Sequence, residues 1–265
     1  MKLAIAGASG RMGRMLIEAA LARPDAKIVA AFDQADSPSI GRDCGEFLGR
    51  STGVDVSTDM SALNNADVLI DFTRPEATAK HLRACVAARV NIVIGTTGFN
   101  DAGKRAIRAA SKKIAVVFSP NMGVGVNAMF KLLDVAARIL NDGYDVEIIE
   151  THHKHKVDAP SGTALKMGEV IAEARGDKFA KVATYAREGN VGERKAGTIG
   201  FASVRGGDVI GDHTVLFAGI GERIEITHKA SNRMTYAIGS MRAARFLIGR
   251  RSGLYDMFDV LGLDK

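Results

Sequence analysis

Leu3-Ala4-Ile5-Ala6-Gly7-Ala8-Ser9-Gly10-Arg11-Met12-Gly13 decides the fold of this chain. Four small or apolar residues, the makings of a short inner strand, run straight into glycines at positions 7, 10 and 13, and a helical pattern follows over Arg11–Ala22. Glycine permits the tight turn and lets backbone N–H groups approach a pyrophosphate, while the helix start presents about half a positive charge in the same direction. The spacing alone is common. Its place between a strand and a helix favours a dinucleotide site over a plain turn with packing glycines. Asp33 closes the next strand pattern, Ile28–Asp33, 26 residues beyond Gly7, where a carboxylate can accept hydrogen bonds from ribose hydroxyls. Neutral Gln34 follows it in place of a cation for a 2′-phosphate, so local charge leans toward NADH, although Arg11 or Arg14 can reach the same ribose.

The alternation continues outward. Val68–Phe72, Ile92–Gly95 and Ile114–Phe118 read as strands and Glu76–Ala88 and Asn100–Ser111 as helices, the order of a parallel sheet. Gly95-Thr96-Thr97-Gly98 and Ser119-Pro120-Asn121-Met122 each follow a strand, and so fall on the carboxyl edge where open α/β sheets bind ligands. Past residue 124 the pattern changes to a helix over Asn127–Leu140, a strand over Asp145–Glu150 and a helix over Thr163–Ala174. Three more strand patterns follow, Thr198–Val204, His213–Phe217 and Arg223–His228, and the intervening Gly206-Gly207-Asp208 and Gly219-Ile220-Gly221 predict turns between antiparallel neighbours. Ser231-Asn232 predicts the cap of a helix reaching Gly249, and Leu254–Leu261 a closing turn or two. The expected fold is α/β. A Rossmann-like parallel-sheet domain for a dinucleotide covers 1–123 with 233–265, and an α+β domain with an open mixed sheet, for substrate binding and oligomerisation, covers 124–232. The edges of an open sheet invite a second copy.

With 265 residues, 46% hydrophobic and 25% charged, the chain can bury a core without a disulfide framework or structural metal. Cys44 and Cys85 have no CxxC spacing and suit a reducing cytoplasm. The apolar start Leu3–Gly7 is too short for a secretion-signal core, and no run reaches the roughly 18–20 apolar residues a bilayer needs, so no membrane partner is expected. A net charge of +6 suits an anionic ligand or a nucleic acid. The latter needs stacking aromatics or a helix-turn-helix, and with no Trp and four Tyr the chain offers neither. Arg205, Arg223, Arg233, Arg242, Arg245, Arg250 and Arg251 are expected to be mostly solvated helix-face charges.

Glu150-Thr151-His152-His153-Lys154-His155-Lys156-Val157-Asp158-Ala159-Pro160-Ser161-Gly162-Thr163-Ala164 is the most unusual stretch, with three of the six histidines inside four positions. A metal is one reading, but no carboxylate stands at a zinc-motif spacing, and Lys154 and Lys156 would repel a cation. A solvated basic loop is another. The best fit is an anion site with a proton donor: Lys156 as a point charge, histidines that titrate near neutrality, and a helix start at Ser161-Gly162-Thr163 that can hold a carboxylate.

The glycine turn, Asp71-Phe72-Thr73-Arg74-Pro75, Gly95-Thr96-Thr97-Gly98-Phe99, His152-His153 with Lys156-Val157-Asp158-Ala159-Pro160-Ser161-Gly162-Thr163-Ala164, and Ile226-Thr227-His228-Lys229-Ala230 together resemble the bacterial dihydrodipicolinate reductases from end to end. The histidine and KxDAPSGTA segment is the specific part, whereas the glycine turn and GTTG loop are shared more widely. The resemblance implies reduction of 4-hydroxy-tetrahydrodipicolinate to tetrahydrodipicolinate, in diaminopimelate and lysine biosynthesis, with NADH or NADPH as cofactor. It also implies a cytoplasmic homotetramer acting on a small dicarboxylate. His152 then matches the proton donor and acceptor, Lys156 a second donor, and His153, Gly162 and Thr163 substrate contacts. Gly7, Ala8, Ser9, Gly10, Arg11, Met12, Asp33, Gln34, Gly95, Thr96, Thr97, Ser119, Pro120, Asn121 and Met122 match the cofactor side. Many members carry Glu at the place of Asp33 and a basic residue at that of Gln34, which leaves dual cofactor use open here. A nicotinamide enzyme for another small acid, or a non-catalytic NAD(H) sensor, are the competing readings.

Overall fold

The computed structural model describes residues 1–263; Asp264 and Lys265, the end of the tail expected in the first domain, lie outside the described residues. The chain divides into two units, Met1–Val124 with Arg233–Lys265, and Gly125–Asn232.

Along the chain, the first unit builds β1 (Lys2–Ala6), α1 (Arg11–Leu21), β2 (Lys27–Phe32), β3 (Val56–Ser57), β4 (Val68–Asp71), α2 (Pro75–Ala88), β5 (Asn91–Ile94), α3 (Asp101–Ser111) and β6 (Ala115–Phe118). The second unit takes α4 (Val124–Ile139) apart from its first residue, then β7 (Asp145–His152), α5 (Gly162–Arg175), α6 (Phe179–Val182), β8 (Ala183–Thr184), β9 (Ile199–Arg205), β10 (Gly211–Ala218) and β11 (Arg223–Ala230). The chain then returns to the first unit through α7 (Met234–Leu247), β12 (Gly253–Tyr255) and α8 (Met257–Leu261).

In the first unit seven parallel strands are ordered β12-β6-β5-β4-β1-β2-β3. Strands buried on both faces read as continuous apolar runs, and alternate residues feed two cores. Leu3, Ile5, Val68, Ile70 and Val117 meet Leu16 and Ile17 of α1, Met241 and Leu247 of α7 and Met257 of α8 on one face. Ala4, Ala6, Leu69, Ile92 and Val116 meet Leu82 of α2 and Ile107 of α3 on the other. Each such side chain is worth about 1.5–3 kcal/mol when fully buried, so the two faces together fix strand register. Two strands escape a periodicity reading because they are too short for it: β3, two residues in a polar stretch, and β12, which turns the expected closing turns into an edge strand beside β6 followed by α8. α7 starts at Met234 with Arg233 in the capping position, one residue beyond the Ser231-Asn232 pair that its sequence suggested.

The second unit holds a five-stranded mixed sheet ordered β11-β10-β7-β9-β8. β10 pairs antiparallel with β11 and with β7, as the Gly219-Ile220-Gly221 turn predicts for the first of these. β9 and β10 are not neighbours: β9 runs parallel to β7 on its far side. The Gly206-Gly207-Asp208 turn therefore does not close a hairpin. Instead its backbone bonds to the chain just past β7, Gly206 N–H to the His152 carbonyl at 3.0 Å and Lys154 N–H to the Gly207 carbonyl at 3.1 Å. Buried residues alternate along β7 as Val146, Ile148, Glu150 and His152, which carries the apolar stripe directly into two polar side chains. α5 covers β7 and β9, and its Gly168 is required there, since a Cβ would stand 2.6 Å from the Phe179 ring and 2.8 Å from that of Phe201.

Candidate active site

In the first unit the expected loops come to one edge because every strand of the sheet points the same way. Gly7 takes a left-handed φ of +67°, and a Cβ on Gly13 would fall 2.0 Å from the Gly7 carbonyl oxygen, so α1 can press against the turn only as glycine. Gly10 caps α1 without a side chain in the way. Ser9 ties this turn to the end of β2: its N–H donates to Asp33 Oδ2 at 2.8 Å and its hydroxyl bonds the same oxygen, while Gln34 N–H donates to Oδ1 at 2.9 Å. This cradle of backbone donors, glycine approach and a half-buried carboxylate fits the diphosphate and ribose of a dinucleotide.

A depression beside Ser9 is walled by Ser39, Arg14 and Arg42. Arg14 donates Nε to the Ser9 carbonyl at 3.1 Å and lies 5.2 Å over the Phe47 ring, and Arg42 reaches Glu46 only at 4.0 Å. Arg14 thus stands beside Ser9, the residue bonded to the Asp33 carboxylate. Arg42 has no local motif to announce it.

Thr96 is buried and Thr97 exposed after β5, and Gly95 is held by the Phe72 ring, which a Cβ would meet at 2.3 Å. Ser119, buried after β6, donates its hydroxyl to the Asn121 carbonyl at 2.9 Å, Pro120 is exposed, and α7 crosses so closely that a Cβ on Gly239 would fall 1.7 Å from the Met122 carbonyl.

In the second unit, β7 presents Glu150 and His152 on its inner face. Nδ1 of His152 bonds Oε2 of Glu150, a carboxylate 1% exposed. Arg205, at the end of β9, donates to both Glu150 oxygens at 2.8 and 2.7 Å and to the Asp158 carbonyl at 2.7 Å. Burial pushes the Glu150 carboxyl up, but the Arg205, Ser203 and His152 bonds outweigh it and hold it at about 2. Burial also pushes the His152 imidazole below its ordinary value, against the opposing pull of Glu150. With Nδ1 committed, Nε2 is the free nitrogen. Gly211 on β10 leaves it room, for a Cβ there would stand 3.0 Å away.

His213 lies opposite Glu150 in the β7–β10 register, its ring edge-on to His152 with centroids 5.1 Å apart. Its Nε2 is 3.0 Å from the Ser161 hydroxyl, and burial holds the imidazole down at about 4. Ser161 caps α5 by accepting from Ala164 N–H at 3.1 Å and donates its own N–H to Glu150 at 3.2 Å. One hydrogen-bonded set therefore joins the histidine pair to the helix start formed by Gly162 and Thr163, and the space above Gly162 is open. Lys156 is not a bare point charge: Nζ bonds both oxygens of Asp158 at 2.8 and 2.9 Å. Nδ1 of His153 is buried without a hydrogen-bond partner among the described residues.

Sequence reasoning gives no functional role to Glu150, Arg205, Gly211 or His213, and it reads Ser161 only as part of the α5 start. Glu150 had a signal, since an acid on the inward period of an apolar strand needs a partner. Arg205 corrects the expectation of solvated helix charges: it lies on β9 with a side chain 20% exposed, Arg223 lies on β11, and only Arg242 and Arg245 fall within α7. Among the described residues, no group of three or more His, Cys, Asp or Glu is placed to hold a metal, and no helix is long and apolar enough to cross a membrane.

Comparison with known proteins covers both units. The model of the dihydrodipicolinate reductase N-terminus matches residues 1–122 and that of the C-terminus residues 125–261. 4-Hydroxy-tetrahydrodipicolinate reductase from Chromobacterium violaceum is 63% identical over 98% of both chains, and that from Polynucleobacter necessarius is 60% identical over 100% of both. A dipicolinate-bound dihydrodipicolinate reductase from Paenisporosarcina sp. TG-14 superimposes with a TM-score of 0.76 at 27% identity, covering 98% of each chain. A probable dehydrogenase from Thermotoga maritima, at 13% identity and a TM-score of 0.65, shares the fold alone.

Proposed function

The chain belongs to the dihydrodipicolinate reductase family, and from that premise we propose that His152 handles the proton and Lys156 the carboxylate charge in its reaction. It is an NAD(P)H-dependent oxidoreductase that reduces 4-hydroxy-tetrahydrodipicolinate to tetrahydrodipicolinate in diaminopimelate and lysine biosynthesis. The net change takes in one hydride and one proton and releases one water. Reduced nicotinamide supplies the hydride. Everything else falls to the protein.

The observation that carries the assignment is the Glu150–His152 bond backed by Arg205. The Glu150 carboxylate fixes the His152 ring and leaves Nε2 to hold or release the proton. His213 and Ser161 set the α5 start, where Gly162 and Thr163 receive one substrate carboxylate with help from the helix dipole. The Lys156–Asp158 pair opens to the second carboxylate, and Lys156 serves as a further proton source. The buried, unpartnered Nδ1 of His153 suits a substrate oxygen. Gly7 to Met12 hold the diphosphate, Asp33 and Gln34 the ribose, and Gly95 to Thr97 with Ser119 to Met122 the remaining half of the dinucleotide. NADH is the favoured form because Asp33 offers a carboxylate where a 2′-phosphate would sit, and Arg14 and Arg42 keep NADPH usable.

The protein is a cytoplasmic homotetramer in this reading. Cys44 and Cys85 are buried free thiols, as a reducing compartment favours, and β11 is an eight-residue edge strand with Ile224 44% exposed. Sedimentation should give four chains. Loss of 340 nm absorbance with freshly made substrate, in wild type and in His152→Gln and Lys156→Ala, tests the chemistry. Undiminished turnover in both variants would remove the assigned roles.

A further inference from the structure

Asp71 ends β4 with its side chain wholly buried, and four donors converge on it. Thr73 gives its N–H at 2.8 Å and its hydroxyl at 2.6 Å to Oδ1, and the Thr96 hydroxyl reaches the same oxygen at 3.3 Å. His81, from α2, brings Nδ1 to 2.8 Å from Oδ2. Thr78, also wholly buried, donates to the Thr96 hydroxyl at 2.9 Å. A carboxylate without solvent costs several kcal/mol unless it is paired and hydrogen-bonded, so this cluster is stable only when complete. The Thr73 and Thr96 donors tie this carboxylate to two turns.

Those turns follow β4 and β5. The strand order reverses at β1, with β2 and β3 on one side and β4, β5 and β6 on the other. A dinucleotide seated on the Gly7 turn with its ribose at Asp33, beyond β2, must lay its other half across the ends of β4 and β5. We infer that His81 is a positioning residue for the nicotinamide half of the cofactor, acting through Asp71 to set the Thr73 and Thr96 turns. The inference rests on the cofactor placement proposed above.

The test compares the whole cofactor with its adenosine end. Calorimetric titration of wild type, His81→Ala and His81→Asn is run with NADH and NADPH, and with the matching ADP-ribose fragments that lack nicotinamide. In His81→Ala, cofactor binding should weaken about tenfold while fragment binding stays within twofold, and His81→Asn, whose amide can still donate to Asp71, should recover most of the loss. Thr78→Val, which removes the Thr78 hydroxyl's bond to Thr96 and its 3.4 Å contact with the Thr73 hydroxyl, should show the same split more weakly and stands in if His81→Ala fails to fold. Equal weakening of cofactor and fragment, together with a lower Tm, would make His81 a structural pin. Unchanged cofactor affinity in all variants would overturn the inference outright. Failure of wild type to bind either ligand would overturn the cofactor placement itself.

Discussion

Arg205 grips both oxygens of Glu150, at 2.7 and 2.8 Å, and the same carboxylate holds Nδ1 of His152. The guanidinium keeps Glu150 ionised, and the ionised carboxylate is what supports a proton on a histidine that burial would otherwise strip. Glu150→Gln removes that support. The His152 pKa should fall further, and the limb of kcat/KM that needs protonated His152 should move to lower pH, with kcat/KM at neutral pH reduced by about 10²-fold. A pH profile of the variant with this limb in place would show that Glu150 does not tune His152.

Dianion binding should act in the opposite sense. The substrate brings two negative charges near a mostly neutral His152, so its pKa must rise on binding and a proton must be taken up from solvent. Dipicolinate, the planar dicarboxylate bound to the Paenisporosarcina relative, is the probe. Titration calorimetry in buffers of different ionisation enthalpy should give a net uptake at pH 7.5 that shrinks in His152→Gln. A buffer-independent enthalpy would exclude a proton-coupled site.

His213 predicts a particular acid sensitivity. Its folded pKa, about 4, lies below the unfolded value near 6.5, so the unfolded chain binds more protons between them. Stability is therefore full above pH 6.5 and is lost as pH falls toward 4, by up to ~1.4 kcal/mol per pH unit. His152 and His228, also lowered, add to the same window, whereas Glu150 begins to contribute only below its unfolded value near 4.5. His213→Gln should flatten urea-derived stability between pH 6.5 and 4.5 relative to wild type. Parallel slopes would show that His213 is not held neutral by the fold.

How far the sequence reached follows from what each feature needs in order to be read. The parallel strands of the first unit are apolar runs bounded by glycine turns, and periodicity finds them; β3 and β12 are shorter than any period. The pairing of β9 with β7 is a long-range choice that a glycine turn cannot reveal, because Gly206 and Gly207 bond to the His152 segment instead of to a hairpin. His152 and Lys156 stand in a distinctive local run. Their direct partners, Glu150 and Asp158, lie in the same run two positions away, but the groups behind them come from β9, β10 and the α5 cap, up to 61 positions from His152 in the case of His213, and only the folded register brings those together.

Gly211 shows how such a support acts through absence of mass. A methyl there would stand 3.0 Å from His152 Nε2, and the ring, bonded to Glu150, can move only by giving up that bond. Gly211→Ala should leave the fold intact and lower kcat about tenfold, the scale on which small misplacements of a reacting group are felt. Wild-type kcat in this variant would mean that the ring has slack the geometry does not suggest.

In the proposed cofactor placement, the ribose end sets two charges against one another. Asp33 already carries three hydrogen bonds from Ser9 and Gln34, and its carboxylate repels a 2′-phosphate, while Arg14 and Arg42 line the depression next to it. Arg14 is occupied by the Ser9 carbonyl and the Phe47 ring, but among the described residues Arg42 is held only by an exposed contact with Glu46 at 4.0 Å, a pair worth well under ~1 kcal/mol. Of the two arginines lining the depression, Arg42 is thus the less occupied and the better placed to meet a phosphate. Wild type should show the higher kcat/KM with NADH, and Arg42→Glu should lower kcat/KM for NADPH about tenfold while leaving NADH within twofold. If both cofactors fall together, Arg42 serves the loop and not the phosphate. If NADPH is favoured in wild type, charge from Arg14 and Arg42 outweighs Asp33, and Arg42→Glu should then reverse the preference.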